Sequence, residues 1–275
     1  MRKVKVALIQ RCSAGSKEHN LQEITALARE AAAKCPGLDL IMFPEYNNFM
    51  PPSPQESYHY SETREGMYVT AMRALAKELH CYIDTGSFCE RAGDKVKNTV
   101  VVIDREGEIA GTYSKVHLAD AMGFKESDYV SPGDHLCLVD TDFGKLGVFV
   151  CYDMRFAELS RSLALRGAEI MAISAEWPAG DRLPPRTGHW DVFTRATALH
   201  NLCHVLACNQ YGEVGGEIPF GDSRVVDPWG QVIAQAGEGT RIVLAELDMD
   251  YQQKIRERVA IPNNRRPDVY KLGEL

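Results

Sequence analysis

The sequence predicts an α/β fold in which two mixed β-sheets pack face to face, with helices on both outer faces. Three observations carry that prediction. Short runs rich in Val, Ile and Leu alternate with segments of helical apolar spacing along the whole chain. The alternation occurs twice, each half reading strand, helix, strand, helix, strand, hairpin, with no linker between the halves. The hairpins, marked by Arg105-Glu106-Gly107 and Pro228-Trp229-Gly230, argue against a purely parallel eight-fold barrel.

The chain has 275 residues, 45% of them hydrophobic and 25% charged, as in an ordinary globular domain, and it reads as one domain over 1–275. A net charge of −7 argues against nucleic-acid binding and against anionic membrane surfaces, both of which call for a basic face. No apolar run reaches the roughly 18 residues of a membrane span. The opening MRKVKVALIQRC is too short in apolar residues for a secretory signal and reads as a first strand. Eight cysteines are scattered with no C-x-x-C pair, which suits free thiols in a reducing cytoplasm better than disulfides.

In order, Lys3 to Gln10 is a strand. Leu21, Ile24, Leu27, Ala28 and Ala31 share a helical face that ends at Cys35-Pro36-Gly37. Leu38 to Phe43 is a short strand running into Pro44-Glu45-Tyr46, and the proline-bearing stretch from Asn47 to Ser57 is a loop. Met67, Ala71, Ala74, Leu75 and Leu79 mark a second helix, and Tyr82 to Phe88 a strand. Asn98 to Asp104 and Glu108 to Tyr113 form the first hairpin, and Ala119 to Gly133 is a long polar loop. In the second half a strand ends at Cys151, and a helix covers roughly Arg155 to Arg166. Glu169 to Ser174 is a strand, Ala175 to Gly188 a loop, and Trp190 to Ala198 a helix. His204 to Gln210 is a strand, and Arg224 to Asp227 with Gln231 to Gln235 is the second hairpin. Arg241 to Leu247 is a last strand, and Asp248 caps a helix to about Arg258.

Chemistry concentrates at three strand ends. Glu45 follows LIMFP, Lys115 follows EIAGTYS and Cys151 follows LGVFV. Cys151 sits at a strand-to-helix turn, where backbone N–H groups and a helix start favour a thiolate. A lysine nearby favours the thiolate further and can stabilise an oxyanion, while a glutamate can accept the thiol proton. The Tyr152 backbone N–H, next along the turn, is a candidate second oxyanion donor.

Phe43-Pro44-Glu45-Tyr46, Tyr113-Ser114-Lys115-Val116-His117-Leu118 and Val150-Cys151-Tyr152-Asp153-Met154-Arg155-Phe156-Ala157-Glu158 resemble, in this order, the three signatures of the nitrilase (carbon–nitrogen hydrolase) superfamily. Ser131-Pro132-Gly133-Asp134, Leu165-Arg166-Gly167-Ala168-Glu169 and Gly221-Asp222-Ser223-Arg224 agree, so the resemblance runs from about Lys3 to Tyr270. It implies a four-layer αββα sandwich and a triad of Glu45 as general base, Lys115 as oxyanion-side cation and Cys151 as nucleophile. Glu126 matches a second family glutamate, expected to orient Lys115 or the substrate amide. The resemblance also implies a homodimer or higher homo-oligomer, joined through the helix after the cysteine motif and a C-terminal tail over about 260–275. It implies no cofactor and no metal.

Cys-Tyr-Asp, where the nitrile-cleaving branch resembles Cys-Trp-Glu, points to a small-molecule amide. The closest branch contains ω-amidases and deaminated-glutathione amidases, whose substrates carry a carboxylate. Arg182 and Arg186 are therefore candidate carboxylate binders, and Tyr46 and Trp177 candidate walls. The loop holding the two arginines departs from the ω-amidase pattern, which keeps N-carbamoyl amines or amino acids as the alternative substrates. Other classes weigh less. His200, Cys203, His204 and Cys208 fit no common zinc spacing. A catalytically silent binding protein would be expected to lack a triad residue, and a Cys–His enzyme would have to use His117.

Overall fold

The structure is a computed structural model, and it describes residues 2–121, 123–179 and 187–270. The first sheet is built from β1 (Lys3–Gln10), β2 (Leu40–Met42), β3 (Tyr82–Ala92), β4 (Lys95–Ile103), β5 (Ile109–Ser114) and β12 (Arg241–Asp248), in the order β12-β1-β2-β3-β4-β5. The second holds β6 (Cys137–Thr141), β7 (Gly144–Val150), β8 (Ile170–Ala175), β9 (His204–Asn209), β10 (Arg224–Val226) and β11 (Val232–Gln235), in the order β11-β10-β9-β8-β7-β6. In each sheet the three central strands run parallel and the flanking ones antiparallel.

The near-continuous apolar strands are explained by burial on both faces. Along β1, Val4, Val6 and Leu8 enter the core shared with the second sheet. Ala7 and Ile9, pointing the other way, pack with Ile24 and Ala28 of α1 (Lys17–Lys34) and with Val69 and Met72 of α2 (Met67–Leu79). Strands β2 and β4 divide likewise, Met42 and Val102 inward, Ile41 and Ile103 outward. Two further helices, α3 (Ala157–Leu165) and α4 (Thr187–Asn201), bring Leu163, Trp190 and Ala198 into the core that includes the second sheet. Ser16 caps α1 by accepting the His19 N–H, and Asp248 caps α5 (Met249–Val259) by accepting that of Tyr251. The αββα expectation therefore holds.

Three local expectations change. Strand β6 was not foreseen, and it pairs antiparallel with β7. Strand β12 leaves its own half and pairs antiparallel with β1. The helix expected from Arg155 is preceded by a separate 3-10 turn, Cys151–Arg155, and α3 starts only at Ala157. Among the described residues no helix is long and apolar enough to cross a membrane.

Candidate active site

Strand ends from both sheets converge on a cavity of about 480 Å³. Glu45 follows β2, and its N–H donates to the Ala175 carbonyl at the end of β8 in the opposite sheet (3.3 Å). Gln210 Nε2 donates to the Glu45 carbonyl (2.8 Å). The chain before Glu45 is backed by Gly86, where an added Cβ would lie 2.0 Å from the Pro44 carbonyl oxygen. Lys115 follows β5 and is backed in the same way. The Gly133 N–H donates to the Lys115 carbonyl (2.8 Å), and a Cβ on Gly133 would lie 2.0 Å from the Ser114 carbonyl oxygen. Cys151, directly after β7, has φ +48, and Tyr46, beside Glu45, has φ +52. A non-glycine residue held there costs about 1–3 kcal/mol, a type of strain that clusters at functional sites.

The side chains meet closely. Lys115 Nζ lies 3.1 Å from Glu45 Oε1 and 3.0 Å from Glu126 Oε2. All three residues are at most 4% exposed. Asn98 Nδ2 donates to Glu45 Oε1 (2.8 Å), and the Glu176 N–H donates to Glu45 Oε2 (2.8 Å). Glu126 also accepts the Ala119 N–H (2.7 Å) and the Tyr46 hydroxyl (3.4 Å). The Cys151 thiol lies 3.8 Å from the Glu176 carbonyl oxygen. The structure thus brings Glu45, Lys115, Cys151 and Glu126 to one cavity.

The electrostatics of Cys151 pull in two directions. Glu45 and Glu126 flank the Lys115 ammonium near the sulfur. Burial pushes the Cys151 thiol well above the ordinary range, and Glu45 raises it further, while Lys115 acts the other way. Burial and Glu45 therefore favour the neutral thiol, against the turn and the lysine, which favour the thiolate. Burial alone would lower Lys115, but Glu126 and Glu45 outweigh it and hold the ammonium well above the usual lysine range.

Tyr46, Tyr152 and Trp177 line the cavity. Arg155 lines it too, its guanidinium lying 5.0 Å from the Trp177 ring centroid and 5.3 Å from that of Phe193. Glu158, three residues further on, borders a separate outer groove. Arg182 and Arg186 lie outside the described residues.

His117 does not serve Cys151. Its Nδ1 meets Asp153 Oδ1 at 2.8 Å, and its ring stacks on Phe156 at 3.6 Å. The possible metal cluster is dispersed as well. His204 Nδ1 faces Gln252 Oε1, Cys203 Sγ donates to the Ala168 carbonyl, and Cys208 Sγ donates to that of Ile9.

Sequence reading missed Asn98, Asp153 and Glu176. Glu176 had a usable signal, a charged residue directly after an apolar strand, the same signal that marked Glu45 and Lys115. Asn98, a lone amide within an apolar strand, had a weaker one.

The carbon–nitrogen hydrolase family matches residues 5–257. Human deaminated glutathione amidase is 36% identical over 277 residues, covering 96% of this chain and 83% of the relative. The omega-amidase NIT2-A of Xenopus laevis is 33% identical, covering 100% of this chain and 99% of the relative. Among solved structures, Saccharomyces cerevisiae Nit3, a member of branch 10 of the nitrilase superfamily, superposes with a TM-score of 0.87 at 32% identity, covering 97% of each chain. With that fold, that span of similarity and the Glu-Lys-Cys grouping all present in one molecule, the chain belongs to the carbon–nitrogen hydrolase family.

Proposed function

We propose that the protein is an amidase that hydrolyses the amide of a small, carboxylate-bearing substrate through a Cys151 thioester, releasing ammonia. The observation that carries this reading is the buried contact of Lys115 with Glu45 (3.1 Å) beside the Cys151 thiol, in a cavity of about 480 Å³, a size typical of small-molecule sites. Glu45 takes the Cys151 proton as the sulfur adds to the amide carbon. The resulting oxyanion is held by the Lys115 ammonium and the Tyr152 N–H. Glu45 returns the proton to the leaving nitrogen, ammonia departs, and a thioester remains. Glu45 then deprotonates a water that releases the acid and restores the thiol. Glu126 holds Lys115 in place throughout. The cycle as written uses no metal or organic cofactor.

Two cavity-lining cations, Lys125 and Arg155, support a carboxylate on the substrate, and the sequence adds Arg182 and Arg186. The deaminated glutathione amidase and omega-amidase relatives support an amide. One observation favours the N-carbamoyl alternative: Glu176 and Glu217 also line the cavity and suit a ligand rich in N–H donors. Ammonia release from 2-oxoglutaramate, deaminated glutathione, glutamine, N-carbamoylputrescine, an N-carbamoyl amino acid and a simple nitrile separates these readings. Release confined to the oxo-acid and deaminated-peptide amides is expected. Release from carbamoyl compounds alone would overturn the substrate class and keep the triad. Cys151→Ala should abolish turnover with an unchanged unfolding midpoint, and substantial remaining activity would overturn the nucleophile.

The same reading has the chain self-associate through α3 and the tail. A groove of about 490 Å³ lined by Arg161, His200, Arg265 and Tyr270 lies there, and Leu165 of α3 and Val269 of the tail are exposed. Eight free cysteines support a reducing, cytoplasmic location.

A further inference from the structure

Lys115 follows β5 of the first sheet and Cys151 follows β7 of the second, so contacts between the sheets set their separation. We propose that Asp153 is the positioning residue that fixes it, acting as a strut between the lysine segment and the cysteine turn. Its carboxylate is fully buried and accepts from four donors. Oδ2 accepts the Val150 N–H (3.0 Å) and the Tyr113 hydroxyl (2.8 Å). Oδ1 accepts the His117 N–H (2.9 Å) and faces His117 Nδ1 (2.8 Å), which therefore carries the proton. These four bonds fill the acceptor capacity of a carboxylate.

The placement of the donors gives the strut its effect. Tyr113 and His117 stand two residues before and two residues after Lys115, so the backbone carrying the ammonium is held on both sides. The Val150 N–H belongs to the residue just before the nucleophile, which sits at positive φ. One carboxylate therefore grips the strained turn at one end and brackets the lysine at the other. Asp153, Tyr113, His117 and Val150 are absent from the cavity lining, so the strut acts through Lys115 and Cys151 without touching substrate. The shape of the carboxylate matters as well as its volume. An asparagine presents an NH₂ where one oxygen now accepts, and two of the four donors then face a donor.

The test uses the full-length enzyme. Asp153→Asn should lower kcat about 100-fold, the cost of a misplacement of roughly 1 Å, with KM changed less than about threefold. The pH midpoint for iodoacetamide alkylation of Cys151, followed by peptide mass spectrometry, should move to higher pH, because the charge that favours the thiolate has moved away. Leu163→Ala removes buried volume without touching any of these bonds. It should keep both the kcat of its folded fraction and the alkylation midpoint, even at equal loss of stability. An Asp153→Asn enzyme that keeps its kcat and its midpoint would overturn the proposal, and so would a Leu163→Ala enzyme that reproduces both changes. If Asp153→Asn does not fold, Tyr113→Phe removes a single bond and should shift kcat and midpoint in the same directions by smaller amounts; no shift would overturn the strut. The proposal rests on the amidase reading of Cys151, but the alkylation test does not need turnover. Activity surviving in Cys151→Ala would sink that reading and leave the strut to be judged by the midpoint alone.

Discussion

Single residues in this site are tuned by the company of buried charges. Glu45 has two opposed effects on Cys151: it is placed to take the thiol proton, yet its charge disfavours the thiolate at rest. Glu45→Gln should therefore abolish turnover while moving the alkylation midpoint of Cys151 to lower pH. A midpoint moving upward would show that Glu45 does not raise the thiol at rest. Lys115 is balanced between two carboxylates, so its removal leaves like charges buried together. Lys115→Met should cost about 3–5 kcal/mol in urea unfolding. Adding Glu126→Gln to that variant should recover part of the loss, since one of the stranded charges is gone. A double variant no more stable than Lys115→Met would place the cost in packing rather than in charge. Glu45, Lys115 and Cys151 were legible in the sequence because each sits just past an apolar strand and inside a stretch that resembles a family signature. Asp153 and Asn98 were not, because their partners come from segments distant in sequence, and local spacing does not encode those meetings.

The strands carry buried titratable groups whose effects on stability run in opposite directions. Burial raises Asp84 on β3 to about 7, against the lowering effects of hydrogen bonds from the Gly86 N–H and the Ser174 hydroxyl. Its folded value lies above its unfolded one, so its contribution is complete below about pH 4 and is lost as pH rises through about 7. Burial lowers His204 on β9 to about 4, and the Gln252 hydrogen bond opposes that shift. Its contribution is present above the ordinary histidine value of 6.5 and is lost as pH falls through about 4. Between those limits each group has a slope of about 1.4 kcal/mol per pH unit, opposite in sign. In the native protein the two slopes oppose each other over that range. Asp84→Asn should uncover the histidine slope, so that stability from urea unfolding falls steadily from about pH 6.5 to about pH 4. A flat profile in that variant would mean that His204 is not held neutral. Most elements were legible from apolar periodicity, but β6 was not. Its apolar stretch is only Leu136 to Val139, between Gly133-Asp134 and Thr141-Asp142, and it becomes a strand because the edge of β7 is open to pair with it.

Across the whole molecule, β12-β1-β2-β3-β4-β5 and β6-β7-β8-β9-β10-β11 are two versions of one unit, each a strand antiparallel to the first of three parallel strands, followed by antiparallel strands. The sequence showed the repeat but not its offset. The edge strand precedes its unit in the second sheet and arrives at the end of the chain in the first, a pairing that only the closed fold reveals. This return places α5 near the second half, where Arg256 donates to the carbonyls of Ala168 and Leu202. The tail then runs beside α3 and α4. There Arg161 is lowered by burial and by the neighbouring Arg265. Arg161, Arg265 and Glu158 line one groove, with Leu165, Val269 and Tyr270 exposed on the same helix and tail, a surface of both charges and apolar area that suits pairing with a second copy of itself. A second copy meeting this surface through α3 would bring the exposed Glu158 with it. Sedimentation equilibrium should then find the full chain as a dimer or larger, and a chain ending at Ala260 as a monomer that retains its fold. Arg265→Glu should weaken association, and adding Glu158→Arg should restore part of it. A full chain that sediments as a monomer would reject self-association through this face, and a dimer unaffected by the truncation would move the contact elsewhere.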